Sequence, residues 1–295
     1  MQRRSYPLYH IDAFTTEKLG GNPCVVVMDA DSLSTEQMQR VAKEMNLSET
    51  AFVIESGKAD FGARYFTPAE EIPMAGHPTL STIAALIARG AIDPQKTDHI
   101  MLELKAGLFP VQISMDNEDL LITMTQKKPE FLRVYDKVQI AAIFGLSPDD
   151  IMESVPVQTV STGTGQLMIP VKSAEVLNHL DVHVSELIKL HGQGDFFSVH
   201  LFSVSSPYGG DTWARHFAPP PDIFEDPFTG SATGGMGAYL WHYGLMKKTT
   251  FLADQGQSMG RPGRGLVTLI GKSEAIEGVQ VGGNAVLLYR GEMEL

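Results

Sequence analysis

Four side chains in this 295-residue sequence stand where polar chemistry meets an apolar run: Glu49, His77, Asp226 and Ser231. Glu49 lies in Asn46-Leu47-Ser48-Glu49-Thr50-Ala51-Phe52-Val53, which turns apolar directly after the acid. Loss of hydration there lifts a carboxyl pKa and poises the group for proton transfer. His77 and Ser231 each follow a glycine, Gly76 and Gly230, at the entrance to an apolar stretch of helical length. Helix N-termini carry unpaired backbone N–H groups and about half a positive charge. The two glycine-led ends, with Thr79 and Thr229 beside them, are therefore candidate binding groups for a small carboxylate. Each of the four also has a plainer reading. Ser231 is a good N-cap, Asp226 before Pro227 a good turn residue, His77 a satisfied polar group, and Glu49 a solvated strand-start acid.

What singles these residues out is a duplication. Ala63-Arg64-Tyr65-Phe66-Thr67-Pro68 returns as Ala214-Arg215-His216-Phe217-Ala218-Pro219. Glu71-Ile72-Pro73-Met74-Ala75-Gly76-His77-Pro78-Thr79 returns as Glu225-Asp226-Pro227-Phe228-Thr229-Gly230-Ser231-Ala232-Thr233. Only a short insertion separates the two registers, so the chain reads as two similar lobes, divided as residues 1–127 and 128–295. Two units form a pseudo-dimer in one polypeptide; a solenoid needs at least about three repeats. A cleft between lobes is the natural site. Duplicated scaffolds keep their packing and diverge at their chemistry, and the mismatches inside the matched stretch are Ile72 against Asp226 and His77 against Ser231.

The elements that must position these groups follow from pattern. Tyr9–Phe14 and Cys24–Met28 read as strands around a Gly20-Gly21-Asn22-Pro23 turn. Ser34 caps a helix over Thr35–Glu44, with Gln37 in the capping-box position. Residues 51–54, 63–66, 101–104, 111–115 and 120–124 read as strands, with a hairpin turn at 116–119. The polar, proline-bearing stretch Gln126–Leu132 reads as the crossing between lobes. Residues 157–161, 167–171 and 197–204 repeat the strands, and Val184–Leu190 repeats the helix. The tail adds strands at 265–270 and 285–289, the last able to cross back to the first lobe. Residues 77–89 and 231–243 are helices apolar on nearly every face, so each must be wrapped by other structure. Three glycines inside the second weaken it by about 1 kcal/mol each relative to alanine, which makes sense where neighbours pack closely. The expected class is α+β: two pseudo-symmetric lobes, each a β-barrel-like sheet around one central helix.

Composition narrows the function. The chain is 43% hydrophobic and 20% charged, with a formal net charge of -12. That charge, with scattered basic residues, speaks against a nucleic-acid partner, which needs clustered Lys and Arg. No run approaches the roughly 20 apolar residues of a membrane span, and the first residues lack an apolar signal core, so a cytoplasmic location is expected. The single cysteine, Cys24, excludes an internal disulfide and CxxC-type zinc sites, and it lies in a strand-like run far from either glycine-led motif.

Together these motifs resemble the PhzF-like isomerases, relatives of the phenazine-biosynthesis isomerase that share the diaminopimelate-epimerase fold. The resemblance runs nearly end to end. It is carried by Asp12-Ala13-Phe14-Thr15 and Gly21-Asn22-Pro23, then Asn46–Phe52, Arg64–Pro68, Gly76–Thr79, Asp226–Ala232, Gln255-Gly256-Gln257, Gly260-Arg261-Pro262 and Val281–Val286. It implies a barrel around a helix in each lobe, an active site between lobes and a homodimer. It also implies Glu49 as general acid/base, with His77, Asp226 and Ser231 orienting substrate and steadying protons, and Gly76 and Gly230 holding a substrate carboxylate. Epimerases of this fold use one thiol per lobe, where this chain has Ala75 and Thr229. A carboxylate that lifts a proton from carbon and returns it elsewhere on the same face needs neither metal nor organic cofactor, only a raised pKa and a dry cavity. The expected reaction is therefore a cofactor-independent isomerisation of a small carboxylate-bearing substrate. An amino-acid epimerase, or a binding protein that kept the cleft and lost turnover, stands as the alternative. Tyr65, His216 and Phe228 are expected as cleft walls that set specificity.

Overall fold

The computed structural model describes residues 4–116, 119–220 and 223–295. Its strands are β1 (Ser5–Ala13), β2 (Asn22–Val27), β3 (Glu49–Ile54), β4 (Phe61–Phe66), β5 (Glu71–Ile72), β6 (His99–Leu104), β7 (Gly107–Asp116), β8 (Asp119–Gln126), β9 (Glu130–Tyr135), β10 (Val157–Ser161), β11 (Gly165–Pro170), β12 (Ser198–Ser203), β13 (Thr212–Phe217), β14 (Glu225–Asp226), β15 (Thr250–Gln255), β16 (Gly263–Lys272) and β17 (Ala275–Glu294). The helices are α1 (Thr35–Met45), α2 (Gly76–Arg89), α3 (Lys137–Ile143), α4 (Ala174–Asn178), α5 (Val184–His191) and α6 (Gly230–His242). The chain divides into two units, one of residues 1–125 with 282–295 and one of residues 126–281.

In the first unit eight strands pair in a closed circuit, β17–β1–β2–β3–β4–β6–β7–β8 and back to β17. Closure leaves no edge to template aggregation. α2 packs on β1, β2 and β3, and every residue from His77 to Leu86 is buried. The opposite face of the same strands meets α1 through Val25, Val27, Phe52 and Phe66 against Met38, Val41 and Ala42. A strand covered on both faces has no polar side to show, which is why β2 reads as an unbroken Val25-Val26-Val27 run. α1 starts at Thr35 as expected, where Ser34 with Gln37 closes a capping box, and runs one residue past Glu44. The hairpin turn expected at 116–119 has Asn117 and Glu118 outside the described residues.

In the second unit β9–β10–β11–β12–β13–β15–β16 pair in succession, and α6 packs on β10, β11 and β16. A second apolar layer joins α3, α4 and α5 to these strands through Ile140, Phe144, Leu177, Leu187 and Trp213. Expectation and structure differ in detail at two places. The presumed crossing Gln126–Leu132 is mostly strand: β8 runs through Gln126, and β9 starts at Glu130 with four of its six residues exposed. A strand with so little buried surface carries no apolar alternation to read. The final strand, expected at 285–289 and able to cross back, runs from Ala275 to Glu294, and its residues from Gly282 onward group with the first unit.

No helix among the described residues is long and apolar enough to cross a membrane. Among them, too, no cluster of three or more His, Cys, Asp or Glu is placed to hold a metal ion.

Candidate active site

The duplicated stretch folds alike in both units down to single contacts. β5 pairs with β4 as Tyr65↔Ile72 and Phe66↔Glu71, and β14 pairs with β13 as His216↔Asp226 and Phe217↔Glu225. Arg64 grips Glu71 with two bonds of 2.8 and 3.0 Å, and Arg215 grips Glu225 with two of 2.8 Å. Each guanidinium also lies over the phenylalanine two residues on, at 5.2 and 5.1 Å. The Arg64 bonds hold the Glu71 carboxyl below its ordinary range. These clamps fix a two-residue strand immediately before each central helix and so aim the helix entrance.

In the first unit, Glu49 opens β3 and His77 is the second residue of α2. The Glu49 side chain keeps 18% of its surface exposed, His77 only 4%, and their Oε2 and Nε2 lie 3.1 Å apart. That separation is within hydrogen-bonding reach, although His77 Nε2 makes no hydrogen bond among the described residues. Such contacts tighten when substrate binds. Burial drives the His77 pKa down to about 3, so the ring is neutral near pH 7. Asn22 Nδ2 lies 3.1 Å from His77 Nδ1. An amide N–H₂ can only donate, so Nδ1 is the acceptor and Nε2 carries the proton toward Glu49. Asn22 is held by a strained turn: Phe14, Leu19 and Gly21 have φ of 62°, 69° and 52°, and a Cβ on Gly21 would overlap the Ala13 carbonyl oxygen.

Cys24, expected far from either motif, is the register partner of Glu49 across the parallel β2–β3 pair. Burial first, and the Glu49 charge second, push its thiol far up, so it stays protonated. Thr79 is fully buried; its hydroxyl donates to the Ala75 carbonyl at 2.8 Å and meets the Tyr65 hydroxyl at 3.0 Å. Its side chain is thus engaged within the unit.

In the second unit, Asp226 ends β14 and accepts a bond from the Thr229 hydroxyl through Oδ2. Gln255 ties the same segment down, donating to the Asp226 carbonyl at 2.8 Å and accepting from the Thr229 N–H at 3.2 Å. Ser231, the second residue of α6, is half-buried and accepts a long bond of 3.4 Å from Gln166 Nε2. Ser231 is therefore not the N-cap: Thr229 holds that position, and neither it nor Ala75 makes a side-chain cap. The first N–H groups at Gly76 and Gly230 lack the side-chain cap that α1 has. Pro78 is the third residue of α2, where its missing N–H is one of the four that a helix leaves unpaired anyway.

The structure corrects the expected cleft walls. Tyr65, His216 and Phe228 are buried at 1%, 3% and 0% exposure, turned into their own units. Alternation along β4 and β13 places Tyr65 and His216 on the face of the central helix, which sequence spacing alone does not reveal. Conversely, Asn22, Gln166 and Gln255 were not singled out as site residues. Asn22 and Gln255 were legible as members of the motifs Gly21-Asn22-Pro23 and Gln255-Gly256-Gln257, without a role in the site, and Gln166 carries no local signal.

Comparisons with known proteins bear on the family and the fold. The family model described as phenazine biosynthesis-like protein matches residues 11–291. An uncharacterized isomerase of Clostridium acetobutylicum is 38% identical, covering 99% of both chains. The trans-2,3-dihydro-3-hydroxyanthranilate isomerase of Pseudomonas chlororaphis is 32% identical over 97% of this chain and 98% of its own. The crystal structure of the Bacillus anthracis PhzF-family phenazine biosynthesis protein superposes with a TM-score of 0.88 at 32% identity, covering 98% of this chain and 99% of that one. With its strands and wrapped helices in the diaminopimelate-epimerase arrangement, the chain belongs to the PhzF-like isomerase family.

Proposed function

We propose that this protein moves a proton on a small, unsaturated or cyclic carboxylate without a cofactor, with Glu49 carrying the proton. The supporting observation is the 3.1 Å approach of Glu49 Oε2 to His77 Nε2, with Asn22 Nδ2 at 3.1 Å from the other ring nitrogen. A neutral imidazole donating to the carboxylate steadies the ionised base without drawing off the proton it later receives. Asp226 and Ser231 serve the same reaction by orienting the substrate, and the uncapped N–H groups of α2 and α6 favour its carboxylate. Against a two-thiol epimerisation stand Ala75 and Thr229 at the helix heads and a Cys24 thiol kept protonated by burial.

The substrate named for the Pseudomonas relative, trans-2,3-dihydro-3-hydroxyanthranilate, is the first compound to test. Incubation in deuterium oxide should place deuterium on a ring carbon with the wild type and not with Glu49→Gln, which keeps the shape and removes the basicity. Incorporation that survives in Glu49→Gln discards the assignment.

A further inference from the structure

The second unit holds a chain of buried polar groups with no counterpart in the proton-handling proposed so far. His200 Nδ1 lies 3.2 Å from His216 Nδ1. His216 Nε2 lies 2.8 Å from Ser198 Oγ. Ser198 meets Gln166 Oε1, and Gln166 Nε2 reaches Ser231 Oγ at 3.4 Å. Ser198, His200 and His216 are buried at 0%, 0% and 3% exposure, and Gln166 at 2%. Ser198 opens β12 as Glu49 opens β3. It sits opposite Gln166 across a parallel pair as Glu49 sits opposite Cys24.

Every proton in this chain can be placed. Burial pushes His200 down to about 3, and burial first with the neighbouring His200 second holds His216 well below the ordinary imidazole range, so both rings are neutral and each has one N–H. Between two facing Nδ1 atoms one must donate and the other accept. If His216 Nδ1 donated, the proton of His200 would sit on Nε2, which is buried without a partner. An orphaned buried N–H is the rarer and costlier outcome, so His200 donates through Nδ1 and leaves only a bare lone pair on Nε2. His216 then donates through Nε2 to Ser198, Ser198 donates to Gln166 Oε1, and Gln166 Nε2 donates to Ser231. The order also fixes the amide orientation of Gln166, which diffraction rarely distinguishes.

We infer that Gln166, Ser198, His216 and His200 form a one-way positioning relay that makes Ser231 accept from inside its unit and present its hydroxyl proton outward, as a donor to a substrate oxygen. The inference deepens the isomerase reading and rests on it for the substrate. Gln166 is a positioning residue, and Ser231 the group that would touch the ligand.

The test has two arms, both on the full chain. In ¹⁵N-histidine NMR spectra without ligand, assigned from the resonances lost in His200→Gln and His216→Gln, His216 should be the Nε2–H tautomer and His200 the Nδ1–H tautomer. Both should be unchanged from pH 8 to 5. The reverse pair of tautomers, or an imidazolium in either ring, overturns the relay. The second arm compares Gln166→Glu with Gln166→Met under turnover of trans-2,3-dihydro-3-hydroxyanthranilate. A carboxylate at 166 can only accept, so it turns the Ser231 proton inward. KM should rise at least about tenfold, more than with methionine, and kcat should move less than KM. A methionine effect equal to or larger than that of glutamate reduces Gln166 to packing and overturns the inference. If wild type turns over nothing, the isomerase reading has failed on that compound, and the tautomers still decide the relay.

Discussion

The two central helices solve one packing problem in opposite ways. Where α2 has Leu80, Ser81 and Ile83, the duplicated register gives α6 Gly234, Gly235 and Gly237. In the first unit the helix supplies the bulk and the wall retreats: a Cβ on Gly283 of β17 would come within 3.2 Å of Leu80 and collide with Phe14. In the second unit the wall supplies the bulk. A Cβ on Gly237 would sit 2.7 Å from Val267 Cγ1, one on Gly235 2.8 Å from Met168 Cε, and one on Gly234 would overlap Gln126. Gln126 is occupied there, donating to the Gly230 carbonyl at 2.8 Å and accepting from Thr162 at 2.6 Å. The same divergence governs the polar groups. The first unit places an ionisable pair, Glu49 and His77, at its helix entrance, and the second fills the matching strand position with the neutral Ser198. Leu80 against Gly283 in one unit and Gly234 against Gln126 in the other show that a shared backbone tolerates exchanged side chains where bulk lost on the helix is regained on the wall.

Substitutions can break or sharpen that contrast. The largest effect belongs to the charged position: Glu49→Gln should lower turnover by about 10²- to 10⁴-fold. Ser198→Ala, at the matching place, should cost no more than about tenfold, the worth of one neutral hydrogen bond. Comparable losses from both, measured as kcat/KM, would mean the units share the proton chemistry.

Next comes the packing. Gly237→Ala gains about 1 kcal/mol of helix propensity but drives a methyl into the stiff Val267, for a net loss of about 2 kcal/mol read from the urea midpoint. Ile83→Ala should lose about 3 kcal/mol through the opposite fault, a cavity. A stabilised Gly237→Ala would refute the exchange of volume.

The buried histidines give a matching pH contrast. His77 and His200 have pKa values of about 3 when folded and near 6.5 when unfolded. The unfolded chain therefore binds more protons between those values, and stability is full above about pH 6.5 and falls as pH drops toward 3. Each should contribute a loss of about 2 kcal/mol between pH 6.5 and 5. His77→Gln and His200→Gln should each flatten the curve of unfolding free energy against pH by that amount, and an unchanged slope would show the ring to be charged in the fold.

The smallest and most symmetric effect is that of the clamps. Arg64→Lys and Arg215→Lys each exchange a two-bonded fork for a point charge, and each should cost about 1 kcal/mol by the same denaturation assay. A cost confined to one unit would show that the two clamps are not equivalent.

Much of this was legible in the sequence for physical reasons. The repeat of Arg64-Tyr65-Phe66 in Arg215-His216-Phe217 marks contacts made within a few residues, and those recur wherever the local chain does. A helix apolar all round, such as 77–89, announces that something wraps it. What stayed hidden depends on strands meeting from distant parts of the chain. Cys24 gives no sign that it lies opposite Glu49, nor Gln166 that it lies opposite Ser198, because pairing partners are set by the whole sheet. Tyr65 and His216 looked like exposed walls because their polar tips mask rings that pack inward against the helix. Asn22 was read from its turn, and its hold on His77 emerges only once β2 runs beside α2.

The circuit of the first unit is completed by β17 pairing with β1, the last strand with the first. During synthesis, residues 1–125 leave the ribosome well before their eighth staff exists, with β1 and β8 each lacking a neighbour. Residues 126–281 follow and can collapse among themselves. The earlier-made half is completed only once residues 282–294 follow, so the order of birth and the order of completion are inverted. Exposed strand margins in that interval are where a chaperone would find most to hold.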